Sequence, residues 1–519
     1  MTRRDYFLLF LVGLVFNSAI AWFQHAPGYM DADYYYAGGV RLFQGHGFTE
    51  NYLWNYLDNP QSLPHPSHGY WFPLASILAA AGMWLAGTDT FTAARLGFLL
   101  VAALVPPASA ALAFSFTQKR SLALASGFLA IFCGYHAPFL PTTDNFGIFM
   151  LLGAFFFLLF PHVGIISLLL LGLVAGLMNL ARSDGILWLA VGGGGLLLRW
   201  LQAQKPSLSS FFPSFLFPLI LFTLGYAVIM GPWMARNLSI WGTPLTPAGS
   251  RVLWMTRYDE TFAWPPERVN YENWRAAGWD SALAGRLDAL KLNAVNSIAA
   301  QGVVLLAVFA PIGLWVLRKD LRAQLAAFTW LTLFVVLTFI FPFAGSRGSF
   351  FHAAAALQPV WWAAAPVAVE FLVGKARQRG RFTPEAFSIF RFALVVFMGM
   401  ITLVLVYISV IEKDWNEFQR TYLRAEQILV ENGAQSSDVV IVANAPGYFA
   451  VNRRPAIIVP DEDLKTTRQL AHQFGARFLI LEKTYYTDPM IPVYQNPESQ
   501  PGLAYLGEFD EVRLFRIEP

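Results

Sequence analysis

The sequence predicts an α-helical multi-pass membrane protein with about eleven transmembrane helices, external loops and a small external C-terminal α/β domain. Three observations predict it. The 519 residues are 56% hydrophobic and only 13% charged, against roughly 25% charged in soluble domains. Long apolar runs recur at the length a bilayer demands. Lysine and arginine fall on one side of the alternating loops.

The runs that fit a span are about 6–24, 94–117, 121–140, 145–160, 163–181, 185–201, 211–234, 299–317, 323–343, 350–372 and 388–411. The first follows Thr2-Arg3-Arg4, a basic flank that a cleaved signal also carries. Many further spans follow, and a signal anchor gives the same orientation. Segment 73–87 is apolar but short and is expected to lie at the outer interface.

Charge fixes the orientation. With the N-terminus in the cytoplasm, the short inner segments hold Arg3, Arg4, Lys119, Arg120, Arg199, Lys205, Arg318, Lys319, Arg322, Lys375, Arg377, Arg379 and Arg381. The short outer loops hold Arg182 and Arg347. Positive residues belong inside, and counting 73–87 as a span would place Lys119 and Arg120 outside. The expected domains are a membrane module, 1–411, with external loops 25–93 and 235–298, and an external α/β domain, 412–519. The two loops are rich in Trp, Tyr, Pro and Gly, a composition for packed loops over a cavity. In the last segment 438–443 and 477–481 read as strands, 463–474 as a helix and 511–517 as an edge or hairpin strand. The C-terminal domain is expected on the outer side, extracellular or periplasmic.

Net charge of +3 gives no case for nucleic acid, and the single cysteine, Cys133, excludes an intrachain disulfide. Membrane lipids are the surroundings the composition requires.

Candidate chemistry gathers at the outer ends of the spans. Asp31 and Asp33 follow the first span, beside Tyr34, Tyr35 and Tyr36. A carboxylate there can take a proton from an acceptor hydroxyl or ligate a divalent cation; the same pattern also suits a solvated loop start with interfacial tyrosines. Asp144, in Pro141-Thr142-Thr143-Asp144-Asn145, stands where a helix begins, so it or Thr143 could equally cap that helix. Arg182, Arg236 and Arg347 lie outside against the charge rule, and each guanidinium could hold a phosphate at headgroup height. Arg182 could instead pair with Asp184, and Arg236 could meet a lipid headgroup. His65 and His68 have a spacing that could serve a metal or simply furnish a polar, rigid loop with Tyr70.

In order along the chain, Asp31-Ala32-Asp33, Gly45-His46-Gly47-Phe48, Gly69-Tyr70-Trp71, Arg95, Lys119-Arg120, Asp144, Arg182-Ser183-Asp184-Gly185, Pro232-Trp233 with Arg236-Asn237, and Arg347 resemble the membrane glycosyltransferases that use polyprenyl-phosphate sugars. That superfamily, of fold type C, includes protein O-mannosyltransferases and aminoarabinose transferases. The resemblance covers about residues 1–372. It implies inverting transfer of a sugar from a polyprenyl-phosphate donor to a hydroxyl of a protein, lipid or glycan at the outer face. Asp31 would be the general base, Asp144 would position it or share a divalent cation (Mg2+ or Mn2+) with it, and Arg347 would hold the lipid phosphate. The chain has Asp-Ala-Asp where the family often has Asp-Glu, which leaves the base open between Asp31 and Asp33. It has Arg347 and Phe350 or Phe351 where many members carry lysine and tyrosine. The inner loops carry no nucleotide-binding glycine pattern, which argues against a soluble nucleotide-sugar donor. The competing class is a transporter or flippase of lipid-linked saccharide, for which midplane charges and internal repeats would be expected.

Overall fold

A computed structural model describes residues 1–203, 207–483 and 485–518; Lys205, expected on the inner side, lies outside them. The chain divides into two compact units. The first comprises Met1–Phe23, Arg95–Ser239 and Arg286–Lys413; the second comprises Gln24–Ala94, Ile240–Gly285 and Asp414–Pro519.

The first unit is helical. Among the described residues six helices are long and apolar enough to cross a membrane: Arg3–Ala21, Phe91–Thr117, Ser209–Trp241, Leu321–Ile340, Pro342–Gln378 and Ala386–Glu431. A bent pair, Gly278–Gln301 and Leu305–Val316, makes a seventh if taken as one span. The other expected spans form shorter helices: Arg120–Ile131, Phe146–Leu159, Ile165–Ala181 and Leu187–Leu201. A helix of 12 residues such as Arg120–Ile131 rises only about 18 Å. It stops there because Gly134, at φ +64°, turns the chain and Pro138 lies just beyond.

Large apolar side chains stand exposed along these helices, among them Phe392 (72%), Val228 (65%) and Ile389 (61%). Such surface suits hydrocarbon and would be a liability in water. Where helices meet one another, glycine permits the approach. A Cβ on Gly172 would clash with the Phe222 carbonyl, one on Gly153 with that of Ala356, and one on Gly313 with that of Ala364. Close backbone contact of this kind drives association where no hydrophobic gain is available. Charged residues at helix ends serve the backbone. The N-terminal helix carries a Thr2–Asp5 capping box, and Asp5 accepts a two-pronged bond from Arg120 at 2.9 and 2.6 Å. Arg95 donates to the Ala21 carbonyl at 2.8 Å, and Arg318 to that of Trp315 at 2.9 Å. At the 88° break after Gln301, Gln358 donates to the buried Gln301 carbonyl at 3.1 Å, which gives that acceptor a partner in an apolar setting.

The second unit carries two sheets. Strands β1 (Thr49–Glu50) and β3 (His65–Pro66) pair antiparallel. The larger sheet uses β2 (Tyr52–Leu53), β4 (Val439–Val442), β5 (Ala456–Ile458), β6 (Ala476–Glu482), β7 (Leu503–Phe509) and β8 (Val512–Ile517), in the order β2-β5-β4-β6-β8-β7. From β2 to β6 the pairing is parallel, and β8 and β7 continue it antiparallel. The fully buried β4 reads as a continuous apolar run, as parallel strands do. Segment 73–87 forms the helix Leu74–Ala86. At the end of β6, buried Glu482 accepts from Tyr422 at 3.0 Å. Burial lifts its carboxyl to about 7, against the opposing effect of that hydrogen bond.

Two outcomes follow from this packing. Gly313→Ala forces apart the helices Leu305–Val316 and Gln358–Gln378 and costs about 1–3 kcal/mol, read as a lower melting temperature in detergent. A variant that melts with the wild type would refute the close-contact account. Glu482, protonated more readily folded than unfolded, stabilises the second unit at low pH. That contribution is lost as pH rises from the ordinary carboxyl range through about 7. Thermal melts should show Glu482→Gln flattening this decline; identical pH dependence in both proteins would exclude it.

Candidate functional site

The acids after the first span do not open a loop. They sit in the first turn of the helix Met30–Phe43, which starts where Gly28, at φ +94°, and extended Tyr29 end the preceding segment. Two carboxylates in a first turn meet the positive end of the helix dipole. Residues two apart on a helix point about 200° away from each other, so Asp31 and Asp33 face different surroundings. Asp31 is half-buried, and Asp33 is 5% exposed. Asp33 Oδ2 accepts from Asn444 Nδ2 at 2.8 Å. Burial raises Asp33 to about 7, the Asn444 bond opposes that rise, and the charge of Asp31 adds to it.

The tyrosines behind the acids are locked. Tyr34 donates to Glu50 at 2.8 Å and accepts from the His68 backbone N–H at 2.8 Å. Tyr36 donates to the Asp89 carbonyl at 2.8 Å. His68 is held between the Ser67 and Ser76 hydroxyls at 2.7 and 3.0 Å, while His65 pairs with Asp58 at 3.0 Å. The two histidines thus take separate partners. Tyr70 packs edge-on to Trp54, which stacks on Trp71 at 3.8 Å between ring centres.

In the membrane unit, Asp144 precedes the helix Phe146–Leu159, whose N-cap is Asn145. Asp144 Oδ1 accepts from the Asn145 N–H at 2.6 Å, and Oδ2 faces His352 Nε2 at 3.0 Å. His352 stacks on Phe146 at 4.0 Å, and its Nδ1 lies 3.0 Å from the Gly348 carbonyl. Both ring nitrogens therefore face oxygen acceptors. A neutral imidazole has one N–H to give; both contacts are met when one proton is shared between the ring and the Asp144 carboxyl, or when a cation sits between the second nitrogen and the carboxylate. An imidazole nitrogen beside a carboxylate oxygen suits a borderline divalent ion such as Zn2+ better than Mg2+. Sequence reasoning missed His352. Its signal was a histidine inside an apolar run, five residues after Arg347.

Arg347 is exposed, in the turn Gly345–Ser349, where Gly348 adopts φ +125°. Arg182 pairs two-pronged with Asp184, its Nη2 at 2.7 Å, as the sequence allowed. Arg236 lies over the Trp233 ring at 4.4 Å and donates to Asn237 at 3.4 Å. The same unit holds a cavity of about 600 Å3, walled by aliphatic side chains and by Trp315, Trp330 and Trp361, with Arg318 and Gln324 as its charged and amide groups. Its chemistry suits a hydrocarbon chain.

The helical unit and the mixed sheet define a membrane protein of fold type C, the fold of the glycosyltransferases that the sequence resembles. Two solved proteins carry the comparison. ArnT from Cupriavidus metallidurans, bound to undecaprenyl phosphate, matches with a TM-score of 0.55 and 13% identity over 99% of this chain and 98% of its own. The archaeal oligosaccharyltransferase AglB from Archaeoglobus fulgidus, in complex with an inhibitory peptide and a dolichol-phosphate, matches at 0.55 and 12% over 92% of this chain and 69% of its own. The Archaeoglobus fulgidus enzyme was also solved with Zn and sulfate, and that structure matches at 0.54 and 11% over 91% and 67%. No family model and no curated protein sequence matches the chain.

Proposed function

We propose that the protein is a glycosyltransferase that moves a sugar from a polyprenyl-phosphate donor to an acceptor hydroxyl of a protein, lipid or glycan at the outer face of a plasma membrane. The observation that carries the reading is an acidic first turn, Asp31 to Asp33, on a fold shared with proteins solved with polyprenyl phosphates. The topology belongs to the same proposal: eleven crossings, a cytoplasmic N-terminus and an external C-terminal domain, as the basic loops require.

In this reading Asp31 takes the acceptor hydroxyl proton. The acceptor oxygen bonds to the anomeric carbon as the bond to the phosphate oxygen breaks on the opposite face, and the phosphate leaves with the electron pair. Inversion follows from that in-line displacement. Charge grows on the leaving phosphate, and the exposed guanidinium of Arg347 is suited to receive it. Arg236, stacked on Trp233, is assigned to the same donor group. Arg182 is committed to Asp184 and holds its loop. His65, His68 and Tyr70 shape the acceptor loop. Asp144 and His352 are the residues that would hold a divalent cation, which would supply further positive charge to the phosphate. The apolar cavity offers a place for a hydrocarbon chain.

The deciding experiment supplies purified protein in detergent with polyprenyl-phosphate sugars and measures sugar release. Wild type should turn over, and Asp31→Asn should lose about 10²–10⁴-fold in kcat, while Arg347→Ala should raise the KM for donor. No turnover with any donor, in a folded protein that binds none, would favour a transporter or flippase. Metal content gives a separate check. After desalting, wild type should retain Mn2+ or Zn2+, and Asp144→Asn and His352→Phe should not; equal contents would exclude a cation held by Asp144 and His352.

A further inference from the structure

We propose that Asn444 is a positioning residue: it grips Asp33 and so aims Asp31, from the other side of the same helical turn, at the acceptor. The proposal rests on the reading of Asp31 as base and gives the C-terminal segment a part in the reaction.

The amide is oriented by its own neighbours. Asn444 is the N-cap of the helix Ala445–Asn452, and its Oδ1 accepts from the Gly447 N–H at 2.9 Å. The oxygen is thereby taken by the cap, so the NH2 must be the end that meets Asp33 Oδ2 at 2.8 Å. Asn444 is 6% exposed and Asp33 5%, so water competes weakly for the bond. Gly447 allows the approach: a Cβ there would stand 2.7 Å from Asp33 Oδ2 and press on the Asn444 amide.

Both ends of the grip are rigid. Tyr448, four residues beyond Asn444, donates to Glu426 at 2.7 Å, and Glu426 is paired with Arg454. Tyr52, at the sheet edge, donates to the Tyr34 carbonyl at 3.4 Å and lies 5.0 Å from the Phe449 ring. With Asp33 held, rotation of the helix Met30–Phe43 about its axis, the motion that would redirect Asp31, is opposed on the Asp33 face as the Tyr34 and Tyr36 bonds oppose it on theirs. Misplacement of a base by about 1 Å can cost on the order of a hundredfold in rate.

The test uses the full chain in detergent with three variants. Asn444→Ser keeps a cap oxygen and removes the amide donor. Asn444→Asp keeps the cap and sets carboxylate against carboxylate. Asp33→Asn with Asn444→Asp exchanges donor and acceptor across the same contact. Hydrogen exchange over residues 30–36 should rise about tenfold or more in Asn444→Ser, and kcat should fall about 10- to 100-fold with donor KM nearly unchanged. Asn444→Asp should behave likewise or worse, and the exchanged pair should recover most of both losses. Unchanged exchange in Asn444→Ser overturns the grip, whether or not transfer is seen. Unchanged kcat beside a wild type that transfers sugar overturns the positioning role alone, as does an exchanged pair no better than Asn444→Asp. A wild type that transfers nothing overturns the transferase reading and the positioning role with it.

Discussion

The structure of the membrane unit depends on backbones touching at glycine. Helices in hydrocarbon gain nothing by hiding leucine from lipid, so their association must come from close van der Waals contact and shared hydrogen bonds. Gly153, Gly172 and Gly313 each bring one helix onto a carbonyl of the next. That demand leaves large apolar side chains free to face outward, which is where Phe392 and Val228 are found. The polar exceptions gather where helices end or break, at Arg95, Arg318, Gln358 and the Asp144–His352 pair.

The polar groups of the two units obey one rule with different results. A buried polar group needs a partner, and Arg182 has Asp184, Tyr34 has Glu50 and Asp33 has Asn444. His352 differs in reach, because its two ring nitrogens meet the Gly348 carbonyl and the Asp144 carboxylate. A nitrogen and a carboxylate oxygen 3.0 Å apart are ligand types that a divalent cation takes.

The long apolar runs were legible because bilayer thickness imposes a length, and the C-terminal strands because β-branched runs announce themselves. Other features depend on contacts far apart in sequence. Asp31 to Tyr36 read as the start of an external loop because they follow the first span, and Gly38 and Gly39 just beyond are residues that weaken a helix. In the structure those glycines lie against Ser76 and Ala79 of the helix Leu74–Ala86, where a side chain would clash, and packing overrides propensity. Asp144 looked like a cap because threonine and aspartate usually are; one carboxylate oxygen does take the Asn145 N–H, but the other meets a histidine 208 residues away, which no local pattern foretells. Segment 121–140 reads as one apolar run, but Gly134 and Pro138 break it. Asn444 carried no signal, for a single asparagine before a helix suggests a cap and nothing about what its amide will find.

Strand β2 is two residues long, yet it forms the edge of a sheet whose neighbour, β5, is synthesised about four hundred residues later. At ordinary translation rates that interval is on the order of tens of seconds. Through it Tyr52 and Leu53 must wait without their partner while most of the chain is still being made. Until they dock, β5 presents an open parallel edge, the feature that invites pairing with the wrong chain. Maturation of this protein therefore has a built-in late step, and β2 needs protection until β5 has been made.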